Sequence, residues 1–328
     1  MTIDLTRRTL CRAIAASPLV ALAGKARAAG AWPKRPIKWV VPYIVGSSPD
    51  TSARILAEAV APLLGQPIIV ENRGGAAGNI GARLVANAAP DGYTWIYSAG
   101  PMAASMVMYK APGYDALKDF RHVMQLTHSD VLLIVNPSSG IKSLEELIAR
   151  ARANPGKLYY ASGGVGTPSH LGVELFMKSA GIQATHVPYK GASELVHAVM
   201  SNQVTFGMPI FSVAYPQVQA GKLTALAVAG KERNAALPEV QTLAEQGMDD
   251  VELSSWGGLS LPAGTPDSIA NRIHAVFAKA LNDPSVTSAL TALGSKGNPS
   301  TSEEYVQTFK REISFTREMM DMAGLEPM

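Results

Sequence analysis

Residues 159–176 read Tyr159-Tyr160-Ala161-Ser162-Gly163-Gly164-Val165-Gly166-Thr167-Pro168-Ser169-His170-Leu171-Gly172-Val173-Glu174-Leu175-Phe176. A strand end, a glycine-rich turn and a helix start follow one another, the order expected of an α/β fold. Gly163, Gly164 and Gly166 let the backbone take positive φ and pass close to a ligand. Thr167 is placed to cap the following helix, and Pro168 suits its first turn. Such a turn presents amide N–H groups at the positive end of a helix dipole and favours an anion. No lysine or arginine lies between Lys157 and Lys178. An anion held here is held by main chain rather than by a side-chain cation.

Working outward, residues 42–50 (Pro42-Tyr43-Ile44-Val45-Gly46-Ser47-Ser48-Pro49-Asp50) repeat the design. A buried strand ends, a Gly/Ser turn follows, and a helix begins with Asp50 as the expected N-cap. Either turn alone also fits a plain βα connection, where glycine is common. Two of them, both anion-ready and cation-free, point to a clamp, because open α/β sheets bind ligands at the carboxyl ends of their strands. A third loop, residues 186–191, offers Tyr189 as a ring face and hydroxyl donor; it equally fits a proline turn with a solvated Lys190.

The rest of the chain alternates strand-like and helical patterns. Strands are predicted over 37–41, 68–70, 93–98, 131–135, 158–161 and 223–229. A helix is predicted over 51–64, with Ile55, Ala59 and Leu63 on its apolar face and Gly65 as its stop. Glycines 74, 75, 78 and 81 lead into a helix near 82–88, and another covers 195–200. Capping boxes at Ser143/Glu146 and Thr301/Glu304 open two more helices, the second running to about Met320. Residues 254–266, with Trp256-Gly257-Gly258 and a Pro-Ala-Gly-Thr-Pro run, read as a linker. A helix with Ile269, Ile273 and Val276 inward follows it, and the C-terminus is expected to return to the first domain.

The chain has 328 residues, enough for two domains, and 47% are hydrophobic. Its formal charge of +3 comes from the N-terminus. Of 29 Lys and Arg, five lie in residues 1–28, leaving 24; of 26 acids, Asp4 lies there, leaving 25, a net of −1. That balance carries no basic footprint for nucleic acid. Thr6-Arg7-Arg8-Thr9-Leu10, an apolar stretch over 13–23 and Ala26-Arg27-Ala28 form an export signal of twin-arginine character, cleaved after Ala28. The predicted division is 1–28 signal, 29–129 first lobe, 130–253 second lobe, and 254–328 returning to the first. Cys11, the single cysteine, lies in the signal. The mature chain then has no disulfide, thiolate metal site or cysteine nucleophile.

Several chemistries fit poorly. The glycine spacings are not G-x-G-x-x-G, and no Gly-Lys pair is followed by Ser or Thr, so neither a dinucleotide fingerprint nor a P-loop is present. Ser162 lies outside a G-x-S-x-G elbow. The histidines lack metal-ligand spacing.

Further motifs carry a resemblance. Pro33-Lys34-Arg35-Pro36-Ile37, the run from Val70 to Gly78 (VENRGGAAG), Pro90-Asp91-Gly92-Tyr93-Thr94, His186-Val187-Pro188-Tyr189-Lys190-Gly191 and Leu261-Pro262-Ala263-Gly264-Thr265-Pro266 occur in the order found in the tripartite tricarboxylate transporter family, in its Bug-type receptors. From about Trp32 to the C-terminus the chain resembles these substrate-binding proteins. The resemblance implies an α/β, two-lobed type II periplasmic-binding-protein fold with the ligand cleft between lobes. It implies no enzymatic activity and no cofactor, capture of a small carboxylate, delivery to permease subunits in the membrane, and action as a monomer in the periplasm. Carried onto this sequence, the expected ligand-binding residues are Tyr43, Ile44, Val45, Gly46, Ser47, Ser48, Asp50, Ser162, Gly163, Gly164, Gly166, Thr167, His170, Tyr189 and Thr205. Two departures bear on the ligand. The family's first loop usually reads PFPPGG, here PYIVGS; and many members carry an Asp where this chain has Thr205. A non-amino mono- or dicarboxylate, aromatic ones included, is the expected ligand. A ligand-presenting sensor and a serine hydrolase using Ser162 and His170 are the alternatives.

Overall fold

The computed structural model describes residues 32–164, 167–323 and 326–328. The export signal and Gly166 lie outside the described residues. Residues 35–328 form one compact unit built on two sheets.

The first sheet uses β1 (Ile37–Val41), β2 (Ile68–Asn72), β3 (Thr94–Ala99) and β4 (Phe120–Asp130). The chain then builds the second sheet from β5 (Leu132–Val135), β6 (Tyr159–Ser162), β7 (Thr185–Pro188), β8 (Phe206–Gly207) and β9 (Thr224–Val228). It returns to the first sheet with β10 (Ser254–Pro262) and β11 (Lys296–Gly297). Strand orders are β11-β4-β10-β3-β1-β2 and β7-β6-β8-β5-β9. The first sheet pairs β1 in parallel with β2 and β3, and β10 antiparallel with β3 and β4. The helices are α1 (Ser48–Leu64), α2 (Asn79–Ala86), α3 (Gly100–Met108), α4 (Leu144–Ala153), α5 (Pro168–Ala180), α6 (Ala192–Met200), α7 (Phe211–Gln219), α8 (Asp267–Leu281), α9 (Pro284–Ala292) and α10 (Ser302–Ala323). Long α10 packs along α3 and β4 and reaches α5.

The elements form where the sequence has the means to start and stop them. Ser143 accepts from the Glu146 amide while the Glu146 carboxylate accepts from Lys142 N–H. Thr301 and Glu304 bond reciprocally at the start of α10. Gly65 ends α1 at φ +72°. Strand β5 is buried on both faces: Leu133 and Val135 join one core cluster, Leu132 and Ile134 the other. That is why it reads as an unbroken apolar run rather than an alternation. In the first sheet Trp39, Trp95 and Phe277 of α8 meet edge to face, with ring centroids 5.4–6.0 Å apart. Each such ring removes about 200 Å² from water, roughly 5 kcal/mol at the usual coefficient.

Three sequence expectations need correction. Helix α1 starts at Ser48 with Ser47 as N-cap, and Asp50 is its third residue. Its buried seam is Ala53, Leu56, Ala57, Val60 and Leu64, one position away from the expected face, because the sheet lies on that side. Residues 254–262 are no linker. They are a central strand whose glycines are required by tertiary packing: a Cβ on Gly257 would overlap the Tyr97 ring, and one on Gly258 the Tyr305 ring.

Candidate functional site

The β1–α1 loop is held from behind by Asp50. This carboxylate is 2% exposed. It accepts from Gly46 N–H at 2.8 Å and from Asn72 Nδ2 at 3.0 Å, and it pairs with Arg54 at 2.9 Å. Asn72, at the end of the neighbouring strand β2, also donates to the Tyr43 carbonyl. Burial alone would raise the Asp50 pKa; the bonds from Arg54, Gly46 and Asn72 outweigh it and hold the carboxyl below its ordinary range. Gly46 has φ +79°, which lets the loop fold back onto Asp50. Ile44 and Val45 project outward, 77% and 71% exposed. Tyr43 turns inward, where burial and the nearby phenols of Tyr114 and Tyr97 raise its pKa. The Ser47 hydroxyl is buried and has no hydrogen-bond partner among the described residues. A Cβ at Gly81 would lie 2.8 Å from the Arg73 carbonyl and 2.9 Å from Pro42. The glycine run after β2 therefore serves close packing behind this loop.

The β6–α5 loop is tied to itself. Thr167 is the N-cap of α5 and Pro168 its first residue. Gly163 N–H donates to Ser169 Oγ at 2.8 Å, and Gly164 N–H to Ser162 Oγ at 3.1 Å. Thr167 N–H and Oγ1 both donate to the Gly164 carbonyl. Ser162 is fully buried, and its Oγ lies 2.6 Å from His186 Nε2. His186 stacks on His170, centroids 4.2 Å apart, and on Tyr160 at 4.8 Å. The Tyr160 hydroxyl donates to Glu174. Burial and the neighbouring His170 lower the His186 pKa to about 4, and burial lowers that of His170. Both rings are neutral near pH 7. The serine's histidine partner is thus His186, and the set sits behind the loop as packing.

The two loops border one cavity of about 1340 Å³. Of the residues expected from sequence, Tyr43, Ile44, Ser47 and Thr167 line it. Val45 and Gly46 of the first loop and Ser48 and Asp50 in the first turn of α1 do not border the cavity, nor do Gly163 and Gly164 of the second loop, Ser162 at the end of β6 or His170 in α5. Tyr189 packs beside the second loop: its N–H donates to the Ser162 carbonyl, and its hydroxyl lies 3.4 Å from Gln203 Oε1. Thr205 lies just before β8, its N–H bonded to the Tyr159 carbonyl of β6. Sequence reasoning passed over much of the wall: Gly100 and Pro101 at the start of α3, Gln125 and His128 of β4, Trp256 of β10, and Thr308, Arg311 and Glu312 of α10. A signal was present at Trp256, since an aromatic inside the apolar run 254–262 fits a strand better than a linker.

The chain passes between the sheets twice, side by side, because Asp130 and Ser254 are register partners. Asp130, 2% exposed, accepts from Asn234 at 2.6 Å and His128 at 3.2 Å, with Lys296 Nζ at 3.6 Å. Burial works to raise its pKa, but these partners hold it below the ordinary value. Among the described residues no cluster of His, Cys, Asp and Glu is arranged to hold a metal ion, and no helix is long and apolar enough to cross a membrane.

Comparison with known proteins places this geometry. The sequence model described as "Tripartite tricarboxylate transporter family receptor" matches residues 52–325. A "UPF0065 protein in gbd 5'region" of Cupriavidus necator is 35% identical over 98% of this chain and 97% of its own length. Protein BugT of Bordetella pertussis is 33% identical, covering 81% of this chain and 82% of its own. An R. palustris protein solved with adipate has a TM-score of 0.82 at 31% identity, over 91% of this chain and 100% of its own. MatC from Rhodopseudomonas palustris with bound malate has a TM-score of 0.74 at 32% identity, over 88% and 99%. The fold is therefore that of the periplasmic binding proteins, and the chain belongs to the tripartite tricarboxylate transporter family of receptors, as a Bug-related solute-binding protein rather than an enzyme.

Proposed function

We propose that this protein captures a small non-amino carboxylate between its two βα loops in the periplasm and delivers it to a tripartite-type membrane permease. The observation that carries the reading is the Ser47 hydroxyl, buried and unpartnered at the N-cap of α1 on the cavity wall. Leaving a buried hydroxyl unbonded costs about 1–3 kcal/mol. With the Ser47 side chain turned to the cavity, a carboxylate oxygen accepts its hydrogen bond and removes that cost. The Ser48 amide, in the first turn of α1, points the same way by helix geometry. On the other loop the Ser169 amide is the matching donor at the start of α5. Gly46, Gly163 and Gly164, whose amides are already bonded within the loops, shape the clamp rather than touch the ligand. The adipate and malate complexes of the two relatives support the ligand class. In this reading residues 29–129 and 254–328 form one lobe and 130–253 the other, the signal is removed after Ala28, and the receptor acts as a monomer.

Three or four charge-assisted hydrogen bonds, at about 1.5–3 kcal/mol each, offset by the cost of association and closure, give micromolar binding, about −8 kcal/mol. The test is a thermal-shift screen of the mature protein against mono-, di- and tricarboxylates and amino acids. A ligand at about 100 Kd adds roughly 2.7 kcal/mol to stability. A response confined to amino acids, or to none of these compounds, overturns the reading.

A further inference from the structure

Of the acids on the cavity wall, Glu232 is exposed to solvent, and Glu312 differs from the remaining two. Asp130 is bonded to Asn234 and His128, and Glu252 pairs with Lys231 at 3.8 Å. Glu312 has no cation paired to it among the described residues. Its bond is from the Trp256 indole N–H, 2.9 Å from Oε2. The carboxyl lies against the start of α3, where a Cβ on Gly100 would be 3.6–3.7 Å from Cδ, Oε1 and Oε2. The Gly100 backbone thus runs alongside this edge of the carboxyl. Around it are Thr308 and Phe315 of the same helix, Pro101, and Trp256, all on the wall of the same cavity.

We propose that Glu312 is the specificity-determining residue for the ligand's second polar group: Trp256 fixes the carboxyl through Oε2, and Oε1 bonds an oxygen at the far end of a dicarboxylate whose first carboxylate is held at the loops. The inference rests on the receptor reading above and extends it. Chemistry decides the direction of the bond. Burial raises the Glu312 pKa from its ordinary 4.5, against the single indole bond. A carboxylate brought alongside raises it further, because two like charges in one site cannot both ionise cheaply. Glu312 then enters the complex as a neutral acid and donates its proton to the ligand oxygen. An ionised Glu312 would instead repel the anion and favour an ammonium group.

The other titratable groups on the packed elements are few. On α10, Arg311 turns to Thr308 Oγ1 at 3.0 Å, and Tyr305 is a buried phenol bonded to Ser98. On β4 and β11, His128 and Lys296 both bond Asp130, and His122 stacks on Phe309 of α10, where burial lowers its pKa to about 4. From β10 comes Trp256, which does not titrate. The start of α3 brings Gly100 and Pro101, and its end Tyr109.

Calorimetry of the full mature protein with adipate and with hexanoate, from pH 6 to 9, tests this. Wild type is expected to bind adipate more weakly as pH rises across this range, as Glu312 loses its proton. Glu312→Gln keeps a neutral donor, binds adipate within about threefold of wild type at pH 6, and loses the pH slope. Glu312→Ala weakens adipate at least tenfold at pH 6 and leaves hexanoate unchanged. Trp256→Phe keeps the ring but not the N–H, and weakens adipate several-fold with hexanoate again unchanged. Equal adipate affinity in Glu312→Ala and wild type, a Glu312→Gln profile that falls with pH as wild type does, or preferential binding of glutamate that Glu312→Gln abolishes overturns the proposal while leaving the receptor reading intact. Failure of wild type to bind either compound or any other carboxylate overturns both.

Discussion

Replacing Asp50 separates a brace from a ligand contact. In Asp50→Ala, the Gly46 amide and the Asn72 side chain lose their shared acceptor. Hydrogen bonds to a charged group contribute about 1.5–3 kcal/mol each. The pairing with Arg54 adds less than about 1 kcal/mol, because the guanidinium side is 49% exposed and screened by solvent. The expected loss is about 3–7 kcal/mol, a large share of the roughly 5–15 kcal/mol that holds a domain folded. Asp50→Asn keeps the shape and one acceptor oxygen, and should lose about half as much. The folded pKa of Asp50 is depressed, so its contribution is present above the unfolded value near about 4 and disappears as pH falls through the lower folded value. Urea unfolding followed by circular dichroism at pH 7 and at several points below pH 5 reads all three. Wild type should lose stability on acidification faster than Asp50→Asn, and the variants should converge at the lowest pH. A loss under about 0.5 kcal/mol for Asp50→Ala at pH 7, or identical acid slopes for wild type and Asp50→Asn, would refute the brace.

Other expectations are briefer. Gly258→Ala forces a methyl against the Tyr305 ring and the Met124 carbonyl; it should cost about 3 kcal/mol or abolish folding, whereas Gly191→Ala, with open space at its Cβ and an extended backbone, should stay within about 1 kcal/mol. Both are read as melting temperatures. Ser162→Ala leaves half-buried His186 without its partner and should cost about 1 kcal/mol without altering turnover of any ester, since no turnover is expected of wild type. Because His186 stays neutral down to about pH 4 when folded but protonates near about 6.5 when unfolded, its contribution is full above 6.5 and fades between 6.5 and 4; His186→Phe should flatten that part of the acid unfolding curve. Ile44→Ser and Val45→Ser, at exposed positions, should leave stability within about 0.5 kcal/mol and register in ligand affinity at Ile44, which lines the cavity.

Much of this was legible in the residues. Strand β1, the Gly65 stop, both capping boxes and the Thr167 cap come from local rules, and local rules act within a few residues. What escaped depends on distant neighbours. Gly257 and Gly258 look like a hinge until Tyr97 and Tyr305 are seen pressing on them. Asp50 looks like a cap until Gly46 and Asn72 are found on its oxygens. The partner of Ser162 is 24 residues away on β7 and not the nearer His170. Glu312, one acid on a long amphipathic helix, has every local mark of a solvated side chain; Trp256 and Gly100, brought in from other parts of the chain, make it part of a cavity. The glycine loops were visible as loops, but the sequence does not say which of their amides are already bonded.

The pairing of Asp130 with Ser254 has an architectural meaning. Everything between them, the second sheet and its helices, leaves and rejoins the first sheet at neighbouring positions of one ladder. The second sheet is thus an insertion grafted into the connection between β4 and β10. Remove residues 131–253, join the ends with a two-residue Asn-Gly turn, and β4 and β10 become the arms of an ordinary antiparallel hairpin, with no strand of the first sheet missing. Seen this way the first sheet is complete without the second, which it carries at a hairpin tip, the kind of position where chains tolerate an insertion.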